Sequence, residues 1–167
     1  LIDRGIEVVP PLMTDFFMQS FVNMKVNQDS HIKKKYIPDF AIDWLYGKVQ
    51  KQIDKINKIG KAFLYFQPFE NIYEKAEKAK QVISLNTQFG EGWLIAGEMS
   101  SFASQGINHV ISLQPFGCIA NHIVEKGIEK RIKSVYPQIN ILSLDFDSSV
   151  SDVNIINRLL LFVDNIK

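Results

Sequence analysis

The sequence predicts an α/β domain of the flavodoxin or Rossmann type, with a parallel sheet, helices on both faces of the sheet and a mainly helical insertion. Helical periodicity alternates with short apolar strands in the second half of the chain, which is typical of a parallel sheet covered on both faces. Amphipathic helices dominate residues 14–85, which we interpret as an insertion or cap. We therefore expect the 167 residues to form one domain, with residues 86–167 supplying the core βα units.

The first half is predicted to contain one short strand followed by helices. Residues 1–5 match the last turn of a helix ended by a glycine, and residues 6–9 match an apolar strand ended by two prolines. We therefore expect the chain to be part of a larger polypeptide. Thr14 is the candidate N-cap of the next helix, and Pro38 precedes a long amphipathic helix that ends near Gly60. A further helix carries one apolar face, formed by Ile72, Ala76, Ala79 and Ile83.

The second half alternates helices and strands. Residues 90–92 open a helix, and a strand follows at residues 107–113. Next come a helical segment that stops at Pro137 and a second strand at residues 139–144. Ser151 is the candidate N-cap of the last helix. On that helix we expect a buried face, consisting of Val153, Ile156, Leu160 and Val163.

Composition and charge exclude several classes of protein. The net charge is +1, so neither nucleic acid nor an anionic membrane is expected as a partner. Lysines cluster at residues 33–35, 48–61 and 75–80, but the interleaved acidic residues and glutamines indicate solvated helix faces. The longest apolar run, residues 159–163, is far shorter than the roughly 20 residues of a membrane span. The single cysteine excludes an internal disulfide and fits a reducing compartment, so we expect a cytoplasmic protein.

The predicted topology brings three polar turns to one edge of the sheet. The loops at residues 114–118 and 145–149 leave the carboxyl ends of the two strands, where ligands bind in such sheets. The helix that residues 90–92 open runs back toward the first strand, so its N-terminus projects to the same edge. No Walker loop, dinucleotide fingerprint or G-x-S-x-G elbow occurs, so neither a self-sufficient ATP or NAD site nor a serine hydrolase is expected.

Gly90 and Gly92, with Glu91 between them, allow two interpretations. Unpaired N–H groups at a helix start suit a phosphate, a carboxylate or another acidic loop. Alternatively, the glycines only let the helix pack closely, and Glu91 interacts favourably with the helix dipole.

Cys118 lies just after the first predicted strand and is the only cysteine of the chain. A position near a helix start favours the thiolate, and His122 would share its helix face and complete a pair of metal ligands. If this segment is a loop, the four-residue spacing does not place Cys118 and His122 side by side. A lone cysteine is also often a small buried apolar residue with no metal. Asp145 and Asp147 follow the second strand, where they suit either a metal or an ordinary turn with helix-capping chemistry.

Several spaced motifs resemble those of a known group of proteins. They are G-E-G-W-L at residues 90–94, Q-P-F-G-C at 114–118, N-H at 121–122, K-G at 126–127, Y-P at 136–137, D-x-D at 145–147 and S-x-V-N-x-x-N-R at 151–158. In this order they resemble the C-terminal region of the large activase-related proteins of the 2-hydroxyacyl-CoA dehydratase system. The specific part of the resemblance covers residues 85–160.

The resemblance implies a place in an ATP-driven electron-transfer system that acts on CoA thioesters. In this system an activator carries an iron–sulfur cluster and uses ATP to deliver a low-potential electron. The dehydratase-like subunits consist of flavodoxin-like domains that hold a cluster through cysteines from separate domains. This chain would belong to the dehydratase-like region, and its implied partners are other domains of the same polypeptide and the ATP-hydrolysing activator module.

The resemblance also implies roles for individual residues. Cys118 is the implied iron–sulfur ligand, and His122 is a weaker candidate for a metal ligand. The implied cofactor-binding residues are Gly90, Glu91, Gly92, Gln114, Asn121 and Asp145.

Two other functions remain open. One is a cofactor-free interaction module that docks an activator or a partner subunit, and the other is a small-molecule-binding domain of the flavodoxin type. We expect the isolated domain to be inactive and to bind neither a cluster nor ATP. One thiolate cannot hold a cluster that several cysteines normally ligate, and the phosphate-binding signature is absent.

Overall fold

The computed structural model of the protein describes residues 1–30 and 37–166. These residues form six α-helices and one parallel sheet of two strands, which is a mixed α/β architecture. The lysines at residues 33–35 lie outside the described residues. In the described part of the chain, no helix is both long and apolar enough to cross a membrane.

The first half of the chain contains three helices: α1 (Met13–Asp29), α2 (Asp39–Gly60) and α3 (Ile72–Lys80). The prediction of Thr14 as an N-cap is wrong, because α1 begins one residue earlier, after the extended Leu12. The strand predicted at residues 6–9 is also absent, since this segment pairs with neither strand of the sheet. A strand needs a neighbour that accepts its backbone hydrogen bonds, and apolar composition alone does not supply one.

The second half contains α4 (Trp93–Ser104), β1 (His109–Pro115), α5 (Lys126–Val135), β2 (Asn140–Phe146) and α6 (Asp152–Asp164). A π-helix at Ala120–Glu125 leads directly into α5. The prediction of two adjacent parallel strands is confirmed, with Val110 opposite Ile141 and Gln114 opposite Asp145.

Helices cover both faces of the sheet. Val110 and Ile141 pack on the α4 and α5 side, in a cluster with Met99 and Ile132. His109, the residue before Val110 in β1, points to the opposite face, and its ring meets the ring of Phe162 of α6 edge-on. The face predicted for α6 is only partly correct, because Val163 is buried but Val153 and Ile156 are exposed.

The main hydrophobic core lies between α1, α3 and α4, away from the sheet. Trp93 at the start of α4 is completely buried, and its Nε1 donates a hydrogen bond to Oδ1 of Asn23, 2.7 Å away. One lysine of the run at residues 75–80 also belongs to the interior. Lys75 forms a buried ion pair with Asp15 of α1, so the prediction of a fully solvated face is wrong at this position.

Candidate functional site

The candidate site lies where β1 and β2 end. Both strands extend about two residues further than the sequence predicts, so Gln114 and Asp145 are the opposed strand residues of one register pair. Both residues are predicted loop residues, and that prediction is wrong. Asp145 is exposed at the edge of the sheet, whereas Gln114 is completely buried.

Cys118 follows the turn that leaves β1, and its side chain is partly exposed. Its Sγ donates a hydrogen bond to Oδ1 of Asn121 over 2.9 Å. Nδ2 of Asn121 donates in turn to the carbonyl oxygen of Leu113, 3.0 Å away. Asn121 therefore ties the thiol to the end of β1.

The segment after Cys118 is helical, so His122 does lie close to this cysteine. The backbone N–H of His122 donates to the carbonyl oxygen of Cys118 over 3.0 Å, and Nδ1 of the ring is 3.0 Å from the same oxygen. Because a carbonyl oxygen only accepts, Nδ1 carries the proton in this arrangement. Nε2 lies 3.8 Å from Oδ1 of Asp145. The ring nitrogens thus contact the backbone and Asp145, which argues against His122 acting as a base for the sulfur.

Glu125, the last residue of the π-helix, is a functional candidate that the sequence does not single out. It is almost completely buried. Its carboxylate accepts hydrogen bonds from Ser112, at 2.6 Å, from Ser143, at 3.1 Å, and from Nε2 of Gln114. A π-helix often accompanies a functional site, and here it directs one acidic side chain at both strands. The only sequence signal is the row of polar residues on one face of otherwise apolar strands.

Gln114 is therefore held inside the protein. Its amide nitrogen is bonded to Glu125, and its Oε1 has no hydrogen-bond partner among residues 1–30 and 37–166. A cofactor at the sheet edge would not reach this side chain without a rearrangement of the strand.

The turn at residues 90–92 packs tightly against the backbone. Gly92 has a φ of 50°, and a Cβ atom there would lie 2.2 Å from the carbonyl oxygen of Thr87. That oxygen accepts the N–H of Trp93 over 2.8 Å, and the N–H of Leu94 bonds to the carbonyl of Glu91 over 2.8 Å. Two amides at the start of α4 thus already have acceptors. This geometry favours the close-packing interpretation over a phosphate site.

The same turn also lies close to the π-helix, as the predicted convergence requires. A Cβ atom at Gly90 would lie 3.4 Å from the Cβ of Ala120. A cavity of about 200 Å³ lies nearby, between α4 and β1, and both Glu91 and Asn121 line it. The turn and the segment after Cys118 therefore share one recess.

Glu98 of α4 also lines this cavity and is absent from the residues that the sequence singles out. Burial raises the pKa of its carboxyl from 4.5 to about 7, although the nearby Lys75 acts in the opposite direction. A carboxyl that titrates near neutral pH inside a cavity is a candidate functional group. Its sequence signal is weak, because helices commonly carry acidic residues on solvated faces.

Large exposed apolar side chains surround Cys118 along the chain. Phe116 is 83% exposed, and Ile119 and Ile123 of the following segment are 56% and 66% exposed. Phe146 ends β2 beside this turn, since its carbonyl oxygen accepts the N–H of Phe116 over 3.0 Å. We call these four residues the apolar rim.

Cys118, His122 and Asp145 do not form a complete metal site. Within the described ranges, no group of three or more histidine, cysteine, aspartate or glutamate side chains is arranged to hold a metal ion. The chain matches no family model, no curated protein and no solved structure.

Proposed function

We propose that this chain is a flavodoxin-like domain of a dehydratase-like protein and that Cys118 is one ligand of a shared iron–sulfur cluster. The proposed context is an ATP-driven electron-transfer system that acts on CoA thioesters. One observation carries the proposal: a partly exposed thiol lies on the turn after a parallel strand, at the sheet edge where ligands usually bind. The spaced motifs around this thiol supply the chemical context.

This chain can supply one thiolate ligand to an iron–sulfur cluster, from Cys118. Iron–sulfur clusters are held by several cysteine thiolates, whereas this chain has a single cysteine. The remaining ligands would come from other domains of the same polypeptide. When bound, the cluster supplies one-electron chemistry.

The residues around Cys118 would prepare the thiol and its surroundings. Cys118 must lose the hydrogen that it now shares with Asn121, since only the thiolate binds metal. The exposed apolar rim would exclude water once a neighbouring domain covers it. An ATP-hydrolysing activator is the proposed electron donor, because no phosphate-binding signature occurs in this chain.

A cofactor-free interaction module is the second candidate function, and the apolar rim favours it. A group of exposed large apolar side chains at one place on the surface often marks a protein–protein contact, and the apolar rim is such a group. In this case Cys118 would lie among the residues of the apolar rim and would bind no metal.

Anaerobic reconstitution of the complete polypeptide with ferrous iron and sulfide tests the proposal. We expect Cys118→Ser to lose bound iron and the visible charge-transfer absorbance, while serine preserves the hydrogen bond to Asn121 and the fold. We expect the matched variant His122→Gln to keep its iron, because both ring nitrogens already face other groups. Equal iron content in wild type and Cys118→Ser would favour the interaction module.

A further inference from the structure

The cavity between α4 and β1 is lined by both apolar and polar side chains. Its volume is about 200 Å³. Ile95, Met99 and Phe102 of α4 supply apolar lining. Glu91, Glu98 and Ser112 supply polar lining. Such mixed recesses, with a few polar groups that fix orientation, are typical of small-molecule sites.

The polar lining has unused hydrogen-bond acceptors. No donor within residues 1–30 and 37–166 bonds to the carboxylate of Glu91 or of Glu98. Ser112 is more than nine-tenths buried, and its hydroxyl donates to Glu125 but accepts no hydrogen bond from a described residue. A ligand that satisfies this cavity must therefore bring donors.

The charge around the cavity is also unbalanced. The groups that act on Glu98 are Lys75 of α3, Asp15 of α1 and Glu91. The ammonium of Lys75 is already paired with Asp15. When both glutamates are ionised, three carboxylates face one ammonium, which leaves two negative charges in a partly desolvated recess. Such charge favours a cationic ligand.

We propose that this cavity binds a small primary alkylammonium ion. The ammonium group bonds to Glu91 and Glu98, and the aliphatic body lies against Ile95, Met99 and Phe102. A volume of about 200 Å³ leaves room for a ligand of a few heavy atoms. The site is separate from the proposed cluster, although Asn121 contributes to the walls of the cavity and also binds the thiol of Cys118.

The affinity should depend on pH through Glu98. Burial raises the pKa of this carboxyl to about 7, so it is mostly neutral at pH 6 and mostly ionised at pH 8. The ionised fraction rises about tenfold over this range, and the affinity for the cation should rise by up to the same factor.

Isothermal titration calorimetry of the 167-residue chain at pH 8 tests the proposal, with n-butylammonium chloride as the probe. The neutral isostere 1-butanol controls for burial of the alkyl chain. We expect saturable binding of the cation, at least tenfold weaker binding to Glu98→Gln, and unchanged binding to Glu77→Gln. Glu77 is exposed on α3, pairs with Lys80 and does not line the cavity, so this control makes the same change of charge outside the proposed site.

Three results would overturn the proposal: equal binding of 1-butanol and the ammonium ion, equal losses in the two glutamine variants, or tighter binding of Mg²⁺ than of the amine. Far-UV circular dichroism checks that Glu98→Gln is folded. If it is not, Glu91→Gln takes its place with the same expected loss. None of these outcomes depends on iron, so the result is separate from that of the cluster experiment.

Discussion

The thiol of Cys118 donates its hydrogen to Oδ1 of Asn121, with 2.9 Å between sulfur and oxygen. Because Asn121 also donates to the carbonyl of Leu113, one amide side chain fixes the turn after β1 to the strand itself. His122 completes this turn by binding the carbonyl oxygen of Cys118. The sulfur thus occupies a defined position at the sheet edge, and its hydrogen is held in a hydrogen bond to Asn121.

We expect Asn121→Ala to accelerate the reaction of Cys118 with a disulfide reagent such as DTNB in the native protein. The variant removes the acceptor of the thiol hydrogen, and a hydrogen bond of about 0.5–1.5 kcal/mol corresponds to a two- to tenfold change in rate. Asn165→Ala is the control, because the side-chain amide of Asn165 donates to the carbonyl oxygen of Leu161 at the C-terminal end of α6 and does not bond to Cys118. Identical labelling rates in all three proteins would show that Asn121 does not restrain the thiol.

Removal of the Glu125 carboxylate should destabilise the whole domain. In Glu125→Ala, the hydroxyls of Ser112 and Ser143 and the amide of Gln114 lose their common acceptor inside the protein. Unsatisfied buried donors of this kind cost about 1–3 kcal/mol each, and we expect a total loss of about 2–4 kcal/mol in urea unfolding. Glu129→Ala, which breaks an i,i+4 pair with Lys133, should cost no more than about 0.5 kcal/mol. Equal losses would contradict a central role for Glu125.

The fold could be predicted where the pattern and the packing agree. Residues 107–113 and 139–144 are apolar enough to predict strands, and β1 and β2 lie there. The polar end of β1 could not be predicted, because Gln114 resembles a loop residue until its partner Glu125 is placed. Residues 6–9 show the opposite case. Their composition is that of a strand, but the sequence cannot say whether a neighbouring strand is available.

Only those residues of the candidate site that are close together in the sequence could be predicted to lie together. Cys118, Asn121 and His122 lie within one turn and the start of one helix, so their proximity follows from the sequence. Glu98 and Glu125 are different, because each is an acidic residue within a helical segment. Nothing local separates them from a surface acid such as Glu129, and only the positions of distant residues make them buried.

The turn before α4 should tolerate no side chain at Gly92. In Gly92→Ala, the new Cβ would lie 2.2 Å from the carbonyl oxygen of Thr87, and the residue would have to keep a positive φ. We expect a loss of about 2–4 kcal/mol in urea unfolding, from the steric clash and the backbone strain together. Gly106→Ala is a matched control, because Gly106 also has a positive φ but has open space around its Cβ position. Its loss should be about 1 kcal/mol. A Gly92→Ala variant as stable as Gly106→Ala would show that the turn relaxes easily.

Glu98 should make the stability of the domain fall as the pH rises through neutrality. Burial raises the pKa of this carboxyl from its ordinary 4.5 to about 7, so the folded state holds the proton more tightly than the unfolded state does. The resulting stabilisation is complete below about pH 4.5 and is lost as the pH rises through about 7. This difference in pKa corresponds to roughly 3 kcal/mol, and the remaining solvent contact of Glu98 reduces it to about 1–3 kcal/mol.

Glu98→Gln replaces the titrating carboxyl by a neutral amide of the same shape. We therefore expect the variant to match the wild type at pH 4 and to exceed its free energy of unfolding by about 1–3 kcal/mol at pH 8. Urea unfolding at half-unit steps between pH 4 and 8 measures this difference, and the comparison cancels the titration of the groups that both proteins share. Glu77→Gln should follow the wild type throughout, because Glu77 is exposed and pairs with Lys80 at the surface. If the curves of Glu98→Gln and wild type stay parallel across this range, Glu98 carries no proton in the folded protein near pH 7. The cation site would then have to bind with an affinity independent of pH.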